Sequence, residues 1–326
     1  MISTKTGATL TFPDFDDIKV STKTFTATTN LNIQIDLLFK KLPITSYIVT
    51  PKKRGRKKKC EQVDQNKSIK PGSIVTIKYE NEIRGVELKP KKSKTCKKKK
   101  WFRNSITVVI ILDKPINFKV CRNGTFQMTG CKTHEHADLC VKYIWEYIKD
   151  FEDIYTFTRG SNLEAIFIPS MRNIDFSLGF IVDREKLNTY MCTQKEFHCL
   201  LETSFGYTGV NIKIPLDKDI NTMKVKKICD KNGEWVENWT TFREYLEILS
   251  PKEKELKLQC DRHNTFLVFH SGKVIMSGLT AEFMKDVYYY FLSIIRASFD
   301  KIEERLALVN DEDSLSMNED FSLLEI

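Results

Sequence analysis

The sequence predicts an α+β fold in which two similar halves form one curved antiparallel sheet with helices on its convex face. The first observation is a pair of related stretches, "CRNGTFQMTG" (121–130) and "FHSGKVIMSG" (269–278). Each reads as a strand, a glycine-containing turn and a second strand. The second observation is that both halves repeat the order strand, short helix, antiparallel strands and long helix. This repetition predicts an internal pseudo-twofold axis.

The first repeat is assigned to residues 19–158. "KTFTATTNLNIQI" alternates apolar and polar side chains like a half-buried strand and continues into a short helical stretch, "DLLFKKL". Strands follow at 105–112 and 116–121, and a turn at Asn123-Gly124 leads into the next strand. A longer helix is predicted from Thr133, a suitable N-cap, to about Phe151. Its core face carries Ala137, Val141, Ile144, Ile148 and Phe151.

The second repeat, residues 159–305, has the same order. A strand is predicted at 173–182, a helix at 183–194 and a strand at 208–215, followed by the hairpin that contains "KVIMSG". A final helix is expected from Thr280 to about Arg305, burying Phe283, Val287, Phe291, Ile294 and Phe299. An insertion at about 216–262 interrupts this repeat, and its "WTTFREYLEILS" stretch predicts a helix of its own.

Positive charge is concentrated in one part of the chain. The 326 residues carry a net charge of +9, yet residues 51–103 hold 20 Lys or Arg against 5 Asp or Glu, a local +15. Residues 302–326 hold eight acids and one arginine. The organisation is therefore an N-terminal arm (1–18), the two repeats, a basic insertion (about 50–102) in the first, and an acidic tail (306–326).

Two lysine-rich runs, "PKKRGRKKK" and "KPKKSKTCKKKK", are expected to be exposed and mobile, because dense like charges repel one another. One interpretation is a solvated loop or a nuclear import signal. The other is nucleic-acid binding, in which lysines and arginines displace counterions from phosphates. Arg54-Gly55-Arg56 resembles the core of an AT-hook, which lies in a narrow A·T minor groove, although the proline that usually follows is absent.

Composition and motifs exclude several classes of protein. No stretch approaches the 18 apolar residues of a membrane span, and the N-terminal residues lack a secretory pattern, so we expect an intracellular protein. The nine scattered cysteines contain no CxxC pair and are expected to be reduced. His134 and His136 lack a second ligand cluster, so neither a metal nor another cofactor is expected. No catalytic motif is found, which predicts a non-enzymatic protein.

The order of elements and the stretch "FLVFHSGKVIMSGLTAEFMKDVYYYF" (266–291) resemble the TATA-box-binding protein family, over most of the chain outside the arm, insertions and tail. The resemblance implies a saddle whose concave sheet binds the minor groove of A·T-rich promoter DNA. It also implies aromatic wedges that kink the duplex, a mode for which this family is itself the standard example. The implied partners are double-stranded DNA, a B-type initiation factor and RNA polymerase, with the protein monomeric on DNA.

The resemblance assigns DNA-binding roles mainly in the second repeat. Phe269 occupies a wedge position before "HSGK", and Tyr207 fits the partner wedge, with Phe205 as the alternative if the loop aligns differently. Asn173 matches an asparagine at the centre of the site, where an amide meets minor-groove acceptors. The remaining matches are a base-contacting position at Ser277, a phosphate-facing position at Lys273 and a basic position near the backbone at Lys213.

The first repeat departs from the family pattern. Cys121 stands where a phenylalanine wedge is expected, and the other wedge position falls near Ser105, or at Phe102 in a shifted register. Thr24 replaces the central asparagine, and Thr125 replaces the turn lysine. Alternation along the strands nevertheless places a polar set on the concave face: Thr24, Thr26, Thr28, Lys119, Cys121, Gln127 and Thr129. On the other half, Asp175 adds a carboxylate that would repel phosphates.

These departures predict a lopsided DNA complex, in which the second repeat supplies the wedge and the basic insertion supplies much of the attraction. The alternative is an adaptor with the same saddle that mainly binds proteins and holds nucleic acid nonspecifically through its lysine runs. The acidic tail is predicted to compete with DNA by folding onto those runs. The Lys, Asn and Ile bias suggests an A·T-rich genome, such as that of a protist or large DNA virus, and hence a nucleus, viral factory or virion as the location.

Overall fold

The computed structural model describes residues 10–49, 69–88, 102–194, 197–201 and 209–305. They form a large antiparallel sheet with a few helices, an α+β arrangement as predicted. None of the described helices has the length and apolar character needed to cross a membrane. The described helices are α1 (Ile35–Lys41), α2 (His134–Ile148), α3 (Arg184–Cys192), α4 (Phe242–Glu247), α5 (Pro251–Leu258) and α6 (Ala281–Ile302).

The strands divide between the two halves of the chain. Those of the first half are β1 (Val20–Thr29), β2 (Leu31–Ile33), β3 (Ile74–Tyr79), β4 (Glu82–Gly85), β5 (Ser105–Ile111), β6 (Pro115–Cys121), β7 (Thr125–Cys131) and β8 (Tyr155–Phe157). Those of the second half are β9 (Glu164–Ser177), β10 (His198–Leu200), β11 (Gly209–Pro215), β12 (Lys224–Lys231), β13 (Glu234–Thr241), β14 (His263–Phe269) and β15 (Lys273–Gly278).

The main sheet has the strand order β10-β11-β14-β15-β9-β1-β7-β6-β5-β3-β4. β1 and β9 pair at its centre, and from them the order outward is β7, β6, β5 on one side and β15, β14, β11 on the other. Each set of three contains a hairpin followed by a long helix. β7 and β15 are therefore equally far from the centre of the sheet, as are β6 and β14, and β5 and β11. The two strands of each pair also have the same place in the chain order of their half.

The helix side of the first half is built around α2. Its buried residues include Ala137, Val141, Ile144 and Ile148, which pack on inward-facing side chains of β1, β5, β6 and β7. As predicted, the hydroxyl of Thr133 caps the helix by accepting a hydrogen bond from the amide of His136 at 3.4 Å. The predicted core residue Phe151 lies beyond the helix and is exposed, because α2 ends at Ile148.

The second half is covered by α6 in the same way. Phe283, Val287 and Phe291 are buried as predicted, but Ile295 is fully buried while the predicted Ile294 is only partly covered. The helical repeat explains this, since a step of four residues from Phe291 reaches 295. Phe299 is partly exposed and contacts the ring of Phe180 with a centroid distance of 4.9 Å.

Both insertions contribute strands to the sheet. In the first, β3 and β4 form a hairpin that pairs with β5 at the outer edge. In the second, the hairpin of β12 and β13 pairs with residues 164–167 of β9, while β15 pairs with residues 172–177 of the same strand. β9 starts at Glu164, well before the predicted start at 173, and its first part pairs with both β1 and β12.

Residues 10–18 of the N-terminal arm pack against α6. Phe15 is fully buried in the core of the second half, and its ring contacts Tyr288 with a centroid distance of 5.5 Å. The hydroxyl of Tyr288 donates to the carbonyl of Pro13 at 2.6 Å, and Lys285 pairs with Asp16 at 2.5 Å. This part of the arm therefore belongs to the folded second half.

Candidate nucleic-acid interface

The side of the sheet opposite α2 and α6 is called the open face. Alternation along each strand sends one set of side chains into the cores under the helices and the other set to this face. On β14, for example, Phe266 and Val268 are buried under α6, while Leu267 and Phe269 on the other side are half-exposed. The strands β11, β14, β15, β9, β1, β7, β6 and β5 form one continuous open face across both halves.

Phe269 lies at the outer end of the open face in the second half. It is the last residue of β14, is half-exposed, and lines a cavity of about 1070 Å³ together with Lys273, His270, Asp175 and Ile275. Gly209, its cross-strand partner on β11, has no side chain to cover it. The geometry leaves the ring accessible beside a lysine, and this is compatible with the predicted wedge and phosphate roles of Phe269 and Lys273.

The predicted base-contacting residues meet near the centre of the sheet. Ser277 on β15 pairs directly with Asn173 on β9, which in turn pairs with Thr22 on β1. The side-chain oxygen Oδ1 of Asn173 is buried without a hydrogen-bond partner among the described residues. Thr24 is also on this face, opposite Met171. Ser277, Asn173 and Thr24 were assigned to the site from the sequence, and Thr22 adds a further short polar side chain beside them.

The first half places its predicted residues on the open face, but their chemistry is polar. Lys119 and Gln127 are direct cross-strand partners, and Gln127 also pairs with Thr26. The Thr129 hydroxyl donates to the carbonyl of Asn117 at 3.2 Å, which leaves it less free to contact a base. In this half, therefore, side chains that hydrogen-bond replace the apolar ones of the second half.

An exposed aromatic ring does lie beside the first half. Phe102 is 71% exposed, and the amine of Lys119 lies 3.8 Å from the centre of its ring. Cys121 and Ser105, the two wedge positions that lack an aromatic residue, face each other across β5 and β6 nearby. Phe102 is thus the described ring that is best placed to reach a ligand on this half, in agreement with the shifted-register alternative.

Charge on the open face is mixed. Lys213 is exposed on β11 and pairs with Thr265, on the same face as Ser277. Asp175 is exposed on β9, pairs with Ile275 and accepts a hydrogen bond from the hydroxyl of Ser21. A carboxylate near the middle of the second half opposes the lysines, so the described face alone presents only a weak positive surface.

The second insertion covers one part of the open face. Ile166 and Ile168 of β9, which face the same way as Thr26 and Thr28, are buried under α4 and neighbouring residues. Tyr245 of α4 is only 2% exposed, and its hydroxyl shares a 3.3 Å hydrogen bond with Thr28. Thr28 is therefore on the open face, as the alternation predicted, but α4 occupies the space above it.

Four predicted site residues lie outside the described residues: Tyr207, Phe205, Arg54 and Arg56. Their roles stay predictions. Conversely, the sequence did not single out Leu267 and Ile275, which pair across β14 and β15 on the open face next to Phe269. The signal was present, since both lie two residues from assigned positions and must share their face.

The two histidines considered as metal ligands have other neighbours. His136 accepts a hydrogen bond from the amide of Lys132 at 3.2 Å and lies 3.0 Å from a carboxylate oxygen of Asp113. The ring of His134 packs 4.6 Å from that of Phe25. Within the described ranges, no group of three His, Cys, Asp or Glu residues could hold a metal ion.

No protein-family model matches the chain. It is 28% identical over 297 residues to the uncharacterized protein 335L of Invertebrate iridescent virus 6, covering 86% of this chain and 84% of that protein. It is 30% identical over 179 residues to a TATA-box-binding protein-like protein of Acanthamoeba polyphaga mimivirus, covering 46% of this chain and 48% of the relative.

A solved structure of the TATA-box-binding protein of Methanococcus jannaschii aligns with 87% of this chain and 99% of its own, at 14% identity and a TM-score of 0.42. The mimiviral relative confirms the resemblance to the TATA-box-binding protein family that the sequence predicted. Both sequence relatives are viral proteins, which points to a virus-associated protein.

Proposed function

We propose that the chain is a general transcription initiation factor of the TATA-box-binding type, which binds the minor groove of A·T-rich promoter DNA on its open face. The observation that carries the proposal is the continuous sheet, with strands in the same order on either side of β1 and β9. We interpret this order as a saddle of two pseudosymmetric repeats. The two hairpins support the interpretation, because β6–β7 and β14–β15 each lead into a long helix, α2 and α6.

The proposed complex is asymmetric. In the second half, Phe269 enters a base step, with Leu267 and Ile275 as the apolar surface behind it. A minor-groove surface suits this group, since apolar side chains replace part of the stacking that a kinked step loses. Lys273 and Lys213 contact phosphates, and Asn173 and Ser277 meet base edges. In the first half, Lys119, Gln127, Thr129 and Thr24 make polar contacts, while the lysine-rich runs with Arg54 and Arg56 supply long-range attraction.

The experiment that tests this function is a measurement of bending and affinity on matched duplexes. Full-length protein is added to fluorescently labelled A·T-rich and G·C-rich duplexes of equal length, and energy transfer between the ends reports the bend. We expect tighter binding and a larger bend on the A·T-rich duplex, because its minor groove lacks the guanine amino group. Equal affinity for both duplexes, with neither of them bent, would contradict the proposal.

A second function is favoured by one specific observation. α4 covers the open face over Thr28, Ile166 and Ile168, which reduces the surface left for a duplex. An adaptor that binds mainly proteins, with nonspecific nucleic-acid contact through its lysine runs, would tolerate that loss. In the same assay the adaptor binds both duplexes alike, and its affinity falls with salt without any bend.

Recruitment of a B-type initiation factor and RNA polymerase belongs to the first proposal and is tested by co-assembly on bent DNA.

A further inference from the structure

A second cavity, of about 300 Å³, lies where β9 changes partners along one edge. β12 pairs with residues 164–167 and β15 with residues 172–177, so residues 168–171 lie between the two pairings. Pro169 in this gap has no amide hydrogen to donate. The first turn of α6 and the start of β12 form other walls. We call this space, at the meeting point of the two halves and the second insertion, the junction cavity.

Positive charge lines the junction cavity. Lys23, Arg172 and Lys224 contribute three cationic side chains, and Glu282 is the one acidic residue among those that line it. Lys23 and Arg172 are cross-strand partners on β1 and β9, so their charges are held close together. No ion pair joins any of the three cations to a carboxylate of the described residues. Glu282 in the cavity wall and Asp16 near Arg172 offset part of this charge, and the three cations outnumber these two carboxylates.

The pKa values of two groups that line the cavity are lowered by burial and by the neighbouring positive charges. Burial lowers the pKa of Lys23, and the charge of Arg172 lowers it further. Burial also lowers the pKa of His134 to about 4, with Lys23 and Lys226 adding to the shift. Nε of Arg172 and Nδ1 of His134 are buried without a hydrogen-bond partner among the described residues. An anion in the cavity would relieve the repulsion among these cations.

The remaining walls are apolar. Met171, Leu279 and the ring of Trp239, which is 58% exposed, stand beside the cations. A phosphate ion would use only the charged walls of such a space. A peptide whose carboxylates alternate with aromatic or aliphatic side chains uses both, because the apolar side chains are removed from water while the carboxylates meet the cations.

The C-terminal segment of this chain has that chemistry. Residues 306–326 contain six acids and no lysine or arginine, and the segment ends "NEDFSLLEI". Its length also suffices. α6 leads from the junction cavity to Ile302, a distance of about 33 Å for its 22 residues. The C-terminal segment can span about 70 Å when extended, so roughly half of it covers the return and the rest remains for binding.

We propose that the C-terminal segment returns along α6 and places its carboxylates and apolar side chains in the junction cavity of its own chain. Lys23 and Arg172, which line the junction cavity, lie on the helix side of β1 and β9, whereas the proposed DNA contacts lie on the open face. This proposal therefore does not depend on DNA binding. It also differs from a tail that simply neutralises the lysine-rich runs, since it names a defined site with a defined apolar component.

Carbodiimide cross-linking of the full chain tests the proposal directly, since the reagent joins a carboxylate to an amine in contact with it. We expect mass spectrometry to find Glu319 or Asp320 joined to Lys23 or Lys224. Mixing isotopically light and heavy chains distinguishes contacts within one molecule from those between two. Cross-links to the lysines of 51–59 and 89–100 alone, cross-links mainly between light and heavy chains, or none at all would each overturn the proposal.

Matched variants exclude random capture by the reagent. Lys224→Glu should reduce the cross-link from the C-terminal segment to Lys23 at least fivefold, because it reverses a charge in the cavity. Lys231→Glu, an exposed position on the same strand, should leave it unchanged. The double variant Glu319→Gln and Asp320→Asn leaves the described fold untouched, and it should raise the binding of a labelled peptide of residues 306–326 about tenfold by vacating the cavity. No rise would contradict occupancy by the chain's own segment.

Discussion

The two halves of the open face differ most where their strands correspond best. In the second half Leu267 pairs with Ile275, and in the first half the pair at the same place in the hairpin is Lys119 with Gln127. At the outer end of the sheet Phe269 lies opposite Gly209, and on the other side Cys121 lies opposite Ser105. The same backbone pairing thus supports an apolar surface in one half and a polar one in the other.

The opposite side of the same hairpins shows no such divergence. Phe266 pairs with Met276 under α6, and Phe118 pairs with Met128 under α2. All four side chains are fully buried. Packing under a long helix restricts volume and polarity, since each lost methylene leaves a cavity and each buried polar group needs a partner. The side chains of these hairpins on the open face are not packed under a long helix, so they are freer to differ between the two halves.

The largest effect, on stability, is expected from the ion pair that joins the second insertion to α2 of the first half. Lys226 of β12 bonds to Asp138 of α2, whose side chain is 6% exposed, and to Glu237 at 2.8 Å. Lys226→Met leaves Asp138 buried without its cation, and we expect a loss of about 3–5 kcal/mol in the free energy of unfolding in urea. Burial already raises the pKa of Asp138. Removing Lys226 raises that pKa further, so the loss should shrink at acidic pH as Asp138 becomes neutral.

Two controls accompany this prediction. Lys231→Met removes an exposed lysine from the same strand and should change stability by less than about 0.5 kcal/mol. Adding Asp138→Leu to Lys226→Met should recover much of the loss, because an apolar pair replaces the lone carboxylate. If Lys226→Met is as stable as the parent, the insertion does not brace α2, and the first half is held by its own core alone.

A pair of phenylalanine substitutions tests the asymmetry of the open face. Phe269→Ala should lower affinity for the A·T-rich duplex about 10- to 100-fold and reduce the bend, because base–aromatic stacking contributes roughly 1–3 kcal/mol. Phe102→Ala, which removes the exposed ring of the first half, should have a smaller effect. Fluorescence anisotropy and energy transfer measure both quantities. Equal losses from the two variants would mean that both halves insert a ring, and the lopsided complex would be wrong.

Much of this architecture is predictable from local signals. The turns at Gly124 and Gly272, the Thr133 cap and the apolar spacing of α2 and α6 are encoded within a few neighbouring residues, and they define the two hairpins and their helices. Strict alternation also placed Lys119, Cys121 and Gln127 on the open face.

What the sequence did not reveal depends on distant contacts. No strand was predicted at "KVKKICDK", yet it forms β12, in which Lys226 pairs with Asp138 of α2 and Asp230 accepts a hydrogen bond from the indole N–H of Trp145. The cover of α4 over Thr28 comes from the same insertion, and the early part of β9 pairs with the distant β1 as well as with β12. Partners separated by almost ninety positions leave no local pattern to read.

A smaller effect, on the pH dependence of stability, is expected from His134 at the start of α2, since α6 contains no histidine. α2 begins at His134, while α6 begins at Ala281. The pKa of His134 falls from an ordinary 6.5 to about 4 in the folded state, mainly through burial. The unfolded chain therefore binds the proton first, so stability is complete above pH 6.5 and declines as the pH falls toward 4. Allowing for partial exposure, we expect this group to contribute about 1–2 kcal/mol to the decline.

Thermal unfolding of the parent and of His134→Gln at a series of pH values measures that contribution. The difference in melting temperature between the two proteins should change between pH 6.5 and 4, and should be constant above pH 7. His263→Gln serves as a control at a histidine outside the helix side. A difference that is constant over the whole range would show that His134 titrates normally, and that the helix side of the first half is less enclosed than its packing indicates.

The smallest expected effect comes from making the first half resemble the second. Cys121→Phe places an aromatic ring where β6 ends, the position that Phe269 occupies on β14. Its cross-strand partner is Ser105, a small residue that leaves room for a ring as Gly209 does opposite Phe269. We expect a two- to fivefold gain in affinity for the A·T-rich duplex and a larger bend. The gain is limited because Lys119 and Gln127 still provide no apolar support behind the ring. Cys229→Phe, on β12 and away from β6, should give no gain in affinity. A gain in affinity from that control alone would show that added hydrophobic surface, rather than a second wedge, increases binding.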